Sequence, residues 1–147
     1  MIVDRVLQTH PRDVLAVAPS DTVQEVARRF EQKRSGIAMV CADGDRLMGV
    51  VSLGDIVHAI AERGATALSL TVDSIMTKPV ATCARNENID SALNKMAEKG
   101  IRHLPVVDRD RLVGLIEKPA ALETLYEEAA LDFSQLRSHV FAGGDRF

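Results

Sequence analysis

Tryptophan is absent from this chain, and aromatic residues make up only 3% of it. Any core must therefore be aliphatic, built from Val, Ile, Leu, Ala and Met. Cysteine is scarce as well. Cys41 and Cys83 each sit in an apolar run (GIAMVC and PVATCA) without a metal-ligand spacing, which reads as two buried, inert thiols. No apolar run approaches the roughly 18 residues of a membrane span. The N-terminus, MIVDRVLQTHPRDV, carries Asp4 and Arg5 and no apolar signal region. No membrane association is expected, and the cytoplasm is the default location. An excess of positive charge is missing too: the net charge is −3 and the pI about 5.8, which makes nucleic acid an unlikely bulk partner on electrostatic grounds. Arg28, Arg29, Lys33 and Arg34 read as the solvated side of an amphipathic helix. There is no nucleophile–base pair and no phosphate-cradling Gly-rich loop. His103 has no ligand spacing to His10, His58 or His139. Neither an enzyme nor an obligatory metal or cofactor is expected.

What is present is a repeat. Across the 147 residues, a shift of 66 sets Thr22-Val23-Gln24-Glu25-Val26-Ala27 against Asn88-Ile89-Asp90-Ser91-Ala92-Leu93, and Met39-Val40 against Pro105-Val106. One residue is then lost where ADGDR faces DRDR, and a shift of 65 pairs Leu47, Gly49 and Val51 with Leu112, Gly114 and Ile116. Hairpin turns accept such changes. Each copy predicts the same elements. A short apolar stretch (14–17; 80–83) precedes a helix, with a capping-box spacing at Thr22 and Glu25 and an apolar stripe at Val23, Val26, Ala27 and Phe30, or at Ile89, Ala92, Leu93 and Met96. Two strands follow (37–41 and 47–52; 103–107 and 112–116), then a second helix (55–63; 119–140). The paired glycines, Gly49 and Gly114, predict close approach of a backbone or a ligand. A unit of about 60 residues buries only about 60% of its surface and is marginal alone. Two copies related by a pseudo-twofold, their small sheets facing, would share one core. The expected fold is α+β, with two β-α-β-β-α repeats. Repeat one covers 1–66 with an N-terminal lead-in helix, and 67–125 is repeat two, opening on a lead-in helix at 72–76. The end of the last helix and a loose tail take 126–147.

The run VDSIMTKPVATCARNENIDSALNKMAEKGIRHLPVVDRDRLVGLI resembles a CBS domain, named after cystathionine β-synthase. Ile75-Met76-Thr77, the stretch 100–108 and Leu112-Val113-Gly114-Leu115-Ile116 carry the likeness. Copy one keeps the strand, the turn and a Gly-x-x-Ser-x-x-Asp ending at Gly49, Ser52 and Asp55 but lacks the Leu-Pro. Over about 6–125 the chain is similar to the small, stand-alone bacterial tandem proteins of that family. The resemblance implies a regulatory Bateman module that binds an adenosine-containing nucleotide (AMP, ADP or ATP, sometimes NAD or S-adenosylmethionine) between the repeats. It also implies a homodimer and a regulated partner protein of unknown identity. It assigns the ribose hydroxyls to Asp55, the phosphate to Ser52, and the adenine to apolar positions such as Val14, Leu15, Ile37 and Gly49.

Several of these residues have a second reading. Asp55 suits a helix N-terminus as well as a ribose. Arg102 and His103 could reach a phosphate across the cleft or form an ordinary solvated pair. In copy two the ending is Glu117-Lys118-Pro119-Ala120. Ala120 cannot hold hydroxyls, and Glu117 would repel phosphate, so one ligand per chain is expected. The final helix places Leu122, Leu125, Ala129, Phe133, Leu136 and Val140 at spacings of three or four, a stripe for a second chain or for the protein's own core. A structural or protein-interaction module without a small ligand is the alternative function.

Overall fold

The computed structural model describes residues 2–143, with side chains through 138. The helix that opens the chain is α1 (Val3–Thr9). Repeat one follows as β1 (Ala16–Val17), α2 (Val23–Lys33), β2 (Ile37–Ala42), β3 (Arg46–Ser52) and α3 (Leu53–Arg63). Repeat two is α4 (Ile89–Lys99), β4 (His103–Asp108), β5 (Arg111–Glu117) and α5 (Lys118–Gly143). Thr22 caps α2 with the full capping box: its hydroxyl accepts from the Glu25 N–H, and the Glu25 carboxylate accepts from the Thr22 N–H. Val23, Val26 and Phe30, one turn apart, are the buried face of α2. Ile89, Ala92 and Met96 do the same for α4.

The two hairpins differ where the deletion falls. Between β4 and β5 only Arg109 and Asp110 turn the chain, both with positive φ, the geometry that matches the twist of the flanking strands. Between β2 and β3 the loop is one residue longer, with Asp43 and Gly44 at positive φ. The hairpins meet near these turns. Arg46 pairs with Arg111, the Leu47 N–H donates to the Asp110 carbonyl (3.0 Å), and the Leu112 N–H donates to the Asp45 carbonyl (2.7 Å). Arg111 also pairs with the Asp45 carboxylate. The result is one five-stranded mixed sheet in the order β1-β2-β3-β5-β4.

Each repeat has its own aliphatic core, and a third cluster of Met39, Cys41 and Leu115 joins them. Cys41 and Cys83 are free and buried. Burial pushes both thiols up, Cys83 to about 12. The lead-in segments are exchanged between the repeats. Val3 and Val6 of α1 belong to the repeat-two core, while Val72 belongs to the repeat-one core, with Ile75 and Met76 packed against it. This exchange explains both glycines. A Cβ at Gly49 would lie 2.4 Å from Met76 Sδ, and one at Gly114 would lie 2.8 Å from a Leu7 methyl. The close approach expected at these positions is made by a side chain of the other repeat's lead-in segment.

Four expectations change. The stretch 72–76 is a single 3-10 turn, Val72–Ser74, rather than a helix, because Thr77 is already paired with Val50 in both directions (2.8 and 3.1 Å) and leaves no room for more turns. The stretch 14–17 contributes only a two-residue strand, and 80–83 only a bridge from Cys83 to Val106. The last helix begins at Lys118 and runs to Gly143, so Ala142 and Gly143 belong to it. The rest of the expected loose tail, 144–147, and the side chains of His139 and Val140 lie outside the described residues.

Candidate functional site

The end of β3 and the start of α3 build one wall of a cleft. Ser52 is the N-cap of α3. Its hydroxyl accepts from the Asp55 N–H (3.2 Å), and Asp55 Oδ2 accepts from the Ser52 N–H (2.8 Å). This reciprocal pair satisfies two donors that the helix start would otherwise leave bare. It also fixes both side chains at the strand-to-helix corner, each half-buried, where the first turn of the helix favours negative charge.

That corner lines a cleft of about 480 Å³ between the repeats. Ile37 and Val50 continue the wall from repeat one, and Thr77, Pro79, Val80 and Ala81 come from the lead-in to repeat two. The opposite side carries Lys99, Ile101, Arg102, His103 and Pro105. Ile37 and His103 are equivalent positions in the repeat and meet in this cleft. The cleft is thus polarised: one carboxylate faces a lysine, an arginine and a histidine, with aliphatic surface between. Lys99 and Arg102 are exposed and have no ion pair among the described residues. Burial and the neighbouring Arg12 and Arg102 push the His103 imidazole below its usual range, with Glu117, 3.6 Å from Nε2, opposing them.

Five of the eight residues singled out from sequence, Ile37, Ser52, Asp55, Arg102 and His103, line this one cleft. Val14, Leu15 and Gly49 do not. Leu15 is buried in the repeat-one core, and Val14 packs against the cluster between the repeats. Gly49 is covered by Met76. The physical reason is the pseudo-twofold: the apolar stretch beside Asp55 comes from the other repeat, as Val80 and Ala81, the positions 66 after Val14 and Leu15. Lys99 was missed because it closes a helix and has no motif of its own. Its place three residues before Arg102, at the entry to β4, was the available signal.

At the corresponding corner of repeat two, Glu117 stands where Ser52 stands in repeat one. Arg12, from the loop after α1, pairs with the Glu117 carboxylate, and His103 approaches it from the neighbouring strand. Ala120, at the position of Asp55, offers no hydrogen-bonding side chain. The second corner is occupied by the protein's own ion pair.

A family model described as "CBS domain" matches the chain twice, over residues 7–62 and 72–126. The crystal structure of a CBS-domain containing protein from Agrobacterium tumefaciens is similar, with a TM-score of 0.75 and 29% identity, covering 84% of this chain and 92% of that one. So is a CBS domain protein from Pyrobaculum aerophilum complexed with AMP, with a TM-score of 0.71 and 28% identity, covering 82% and 89%. An uncharacterized protein of Methanopyrus kandleri is 27% identical over 125 residues, which is 80% of this chain and 64% of that relative. The chain therefore spans less than two thirds of that relative's length. Relatives include archaeal as well as bacterial proteins, so the similarity does not single out the expected bacterial type.

Proposed function

The chain belongs to the CBS-domain family, and from that premise we propose that it is a regulatory module sensing an adenosine-containing nucleotide in the Asp55 cleft. The observation that carries the reading is the polarised cleft itself. A carboxylate suited to two vicinal hydroxyls faces Lys99, Arg102 and His103 across aliphatic walls. In this reading the ribose rests on Asp55, the purine lies against Ile37, Val50, Val80 and Ala81, and the phosphate reaches the three basic groups and the N-terminus of α3. The structure of the P. aerophilum relative with AMP supports the ligand class. AMP, ADP and ATP come first, with NAD and S-adenosylmethionine as further candidates. Binding bridges both repeats, so it favours one arrangement of them and alters a surface that a partner protein reads.

The Arg12–Glu117 pair supports one ligand per chain. A second copy of the chain is the proposed cover for the exposed apolar residues Leu53, Val57 and Ile60 of α3 and Leu122 and Tyr126 of α5.

The test is a thermal-shift panel of the five candidates on the full chain, repeated with Asp55→Ala and Asp55→Asn. A shift lost in both variants supports the reading. Asp55→Asn keeps an acceptor for the Ser52 N–H, so it separates lost binding from a lost cap. A second reading, a protein-interaction module without small ligand, is favoured by one observation: Ser52 and Asp55 already satisfy each other in the cap. A flat panel would select it.

A further inference from the structure

We propose that His10, Glu123 and Glu127 form a divalent metal site, for a zinc-like transition ion, that clips α1 to α5. One ligand atom from each of the three lies within 4.8 Å of the other two. Glu123 and Glu127 are four apart on α5 and so share a face. His10 is the residue that closes α1, its N–H donating to the Val6 carbonyl (2.8 Å). The three residues therefore converge only because α1 packs on α5. In sequence, 10 and 123 are too far apart for any ligand spacing to show.

The proton inventory around His10 turns proximity into a site. Thr124 Oγ1 lies 3.0 Å from His10 Nδ1, and Thr9 Oγ1 lies 3.1 Å from it. Each hydroxyl also has an acceptor on its own helix, the Ala120 carbonyl for Thr124 and the Arg5 carbonyl for Thr9, each at 2.8 Å. Neither hydroxyl has a second proton to give. When both donate along their own helices they can only accept from the ring, which selects the tautomer with its hydrogen on Nδ1. In the neutral ring Nε2 then presents its lone pair, 3.4 Å from Glu123 Oε2. A lone pair facing a carboxylate oxygen at that distance is repulsive unless a cation lies between them, and a proton or a metal ion can fill that role.

The rest of the arrangement favours the metal. The ring is held by hydrogen bonds at its other nitrogen, as metal-bound imidazoles usually are. Thr124, which holds it, is 3% exposed, so the orientation is set by the core. One imidazole and two carboxylates with water in the fourth place suit zinc. Ligand atoms in a tetrahedral site lie about 3.4 Å apart, a contraction that the exposed Glu123 and Glu127 can supply by side-chain rotation. Such an ion would tie the start of the chain to its last helix and stabilise the fold.

The experiment uses the full chain stripped of metal, with Zn²⁺ titrated by calorimetry and read by thermal shift, and Mg²⁺ in parallel. Expected is one equivalent of Zn²⁺ per chain, a raised melting temperature and no comparable response to Mg²⁺. His10→Ala and Glu127→Gln should each weaken Zn²⁺ at least tenfold. Glu127 is exposed, so its variant keeps the fold. Thr124→Val removes no ligand yet should weaken Zn²⁺ about tenfold by releasing the ring. His58→Ala should change nothing, since among the described residues His58 pairs with Glu62 alone, on the exposed side of α3. The proposal is overturned by the absence of Zn²⁺ binding, by binding that survives both His10→Ala and Glu127→Gln, by loss in His58→Ala, or by an equal response to Mg²⁺. Asp55→Ala should leave Zn²⁺ binding intact, which keeps this test separate from the nucleotide cleft.

Discussion

Two corners of this molecule began from the same plan. In each repeat a strand with a central glycine runs into a helix, and in each the glycine admits a side chain from the other repeat's lead-in segment. At the first corner the strand ends in Ser52 and Asp55, which cap each other and face an open cleft. At the second it ends in Glu117, drawn to Arg12 and near His103, with Ala120 behind it. The parts that hold the repeats together have stayed alike. The parts that would meet a ligand have diverged, from a charge left available to a charge already answered. A pseudo-twofold thus constrains packing, which both halves need, but leaves the two strand-to-helix corners free to differ.

The comparison is broken most sharply at the corners. Asp55→Ala should weaken the nucleotide found in the panel by about 2–3 kcal/mol, near a hundredfold, the worth of losing charge-assisted bonds. Calorimetry with Ala120→Gly should show almost no change. The converse graft, Glu117→Ser with Ala120→Asp, should raise the stoichiometry from one ligand to two. If it stays at one, these residues do not set occupancy.

The glycines come next. Gly49→Ala should cost about 2–3 kcal/mol and Gly114→Ala about 1 kcal/mol in urea denaturation, within the usual range for overpacking. The reason for the order is that a Cβ at Gly49 meets the backbone oxygen of Thr77 at 3.1 Å as well as Met76, whereas the three atoms nearest one at Gly114 are the Leu7 methyls and Cγ, which can move. Equal costs would mean that the two lead-in segments yield alike.

The smallest effect is in pH. His103 is held below its usual range by burial and by Arg12, so the folded state prefers the neutral ring. The unfolded chain binds the proton more readily, and stability should fall as pH drops below about 6.5, the ordinary imidazole value. Melting temperatures between about pH 7.5 and about pH 5.5 should show this fall, with a shallower slope in His103→Gln. An unchanged slope would remove His103 from the comparison.

Much of this was legible in the residues. The repeat, the strands, the capping box at Thr22 and Glu25 and the Ser52–Asp55 corner follow from local patterns of apolar spacing and cap chemistry. The partner of each glycine was not legible, nor was the source of the apolar wall beside Asp55. Both depend on which repeat's lead-in crosses over, and Val14-Leu15 and Val80-Ala81 are equally plausible by pattern. The 3-10 turn at Val72–Ser74 was hidden for a similar reason, since its length is cut by the pairing of Thr77 with Val50.

The sequence by itself determined the repeated unit, its aliphatic core and the asymmetry of its two endings, because those are written in neighbouring residues and their periodicity. Only the tertiary structure decided that Arg12 answers Glu117, that Lys99, Arg102 and His103 face Asp55, and that His10 meets Glu123 and Glu127. Each of those encounters joins residues tens of positions apart, and the free energy that brings them together is the burial of other side chains, not any attraction legible between the residues themselves.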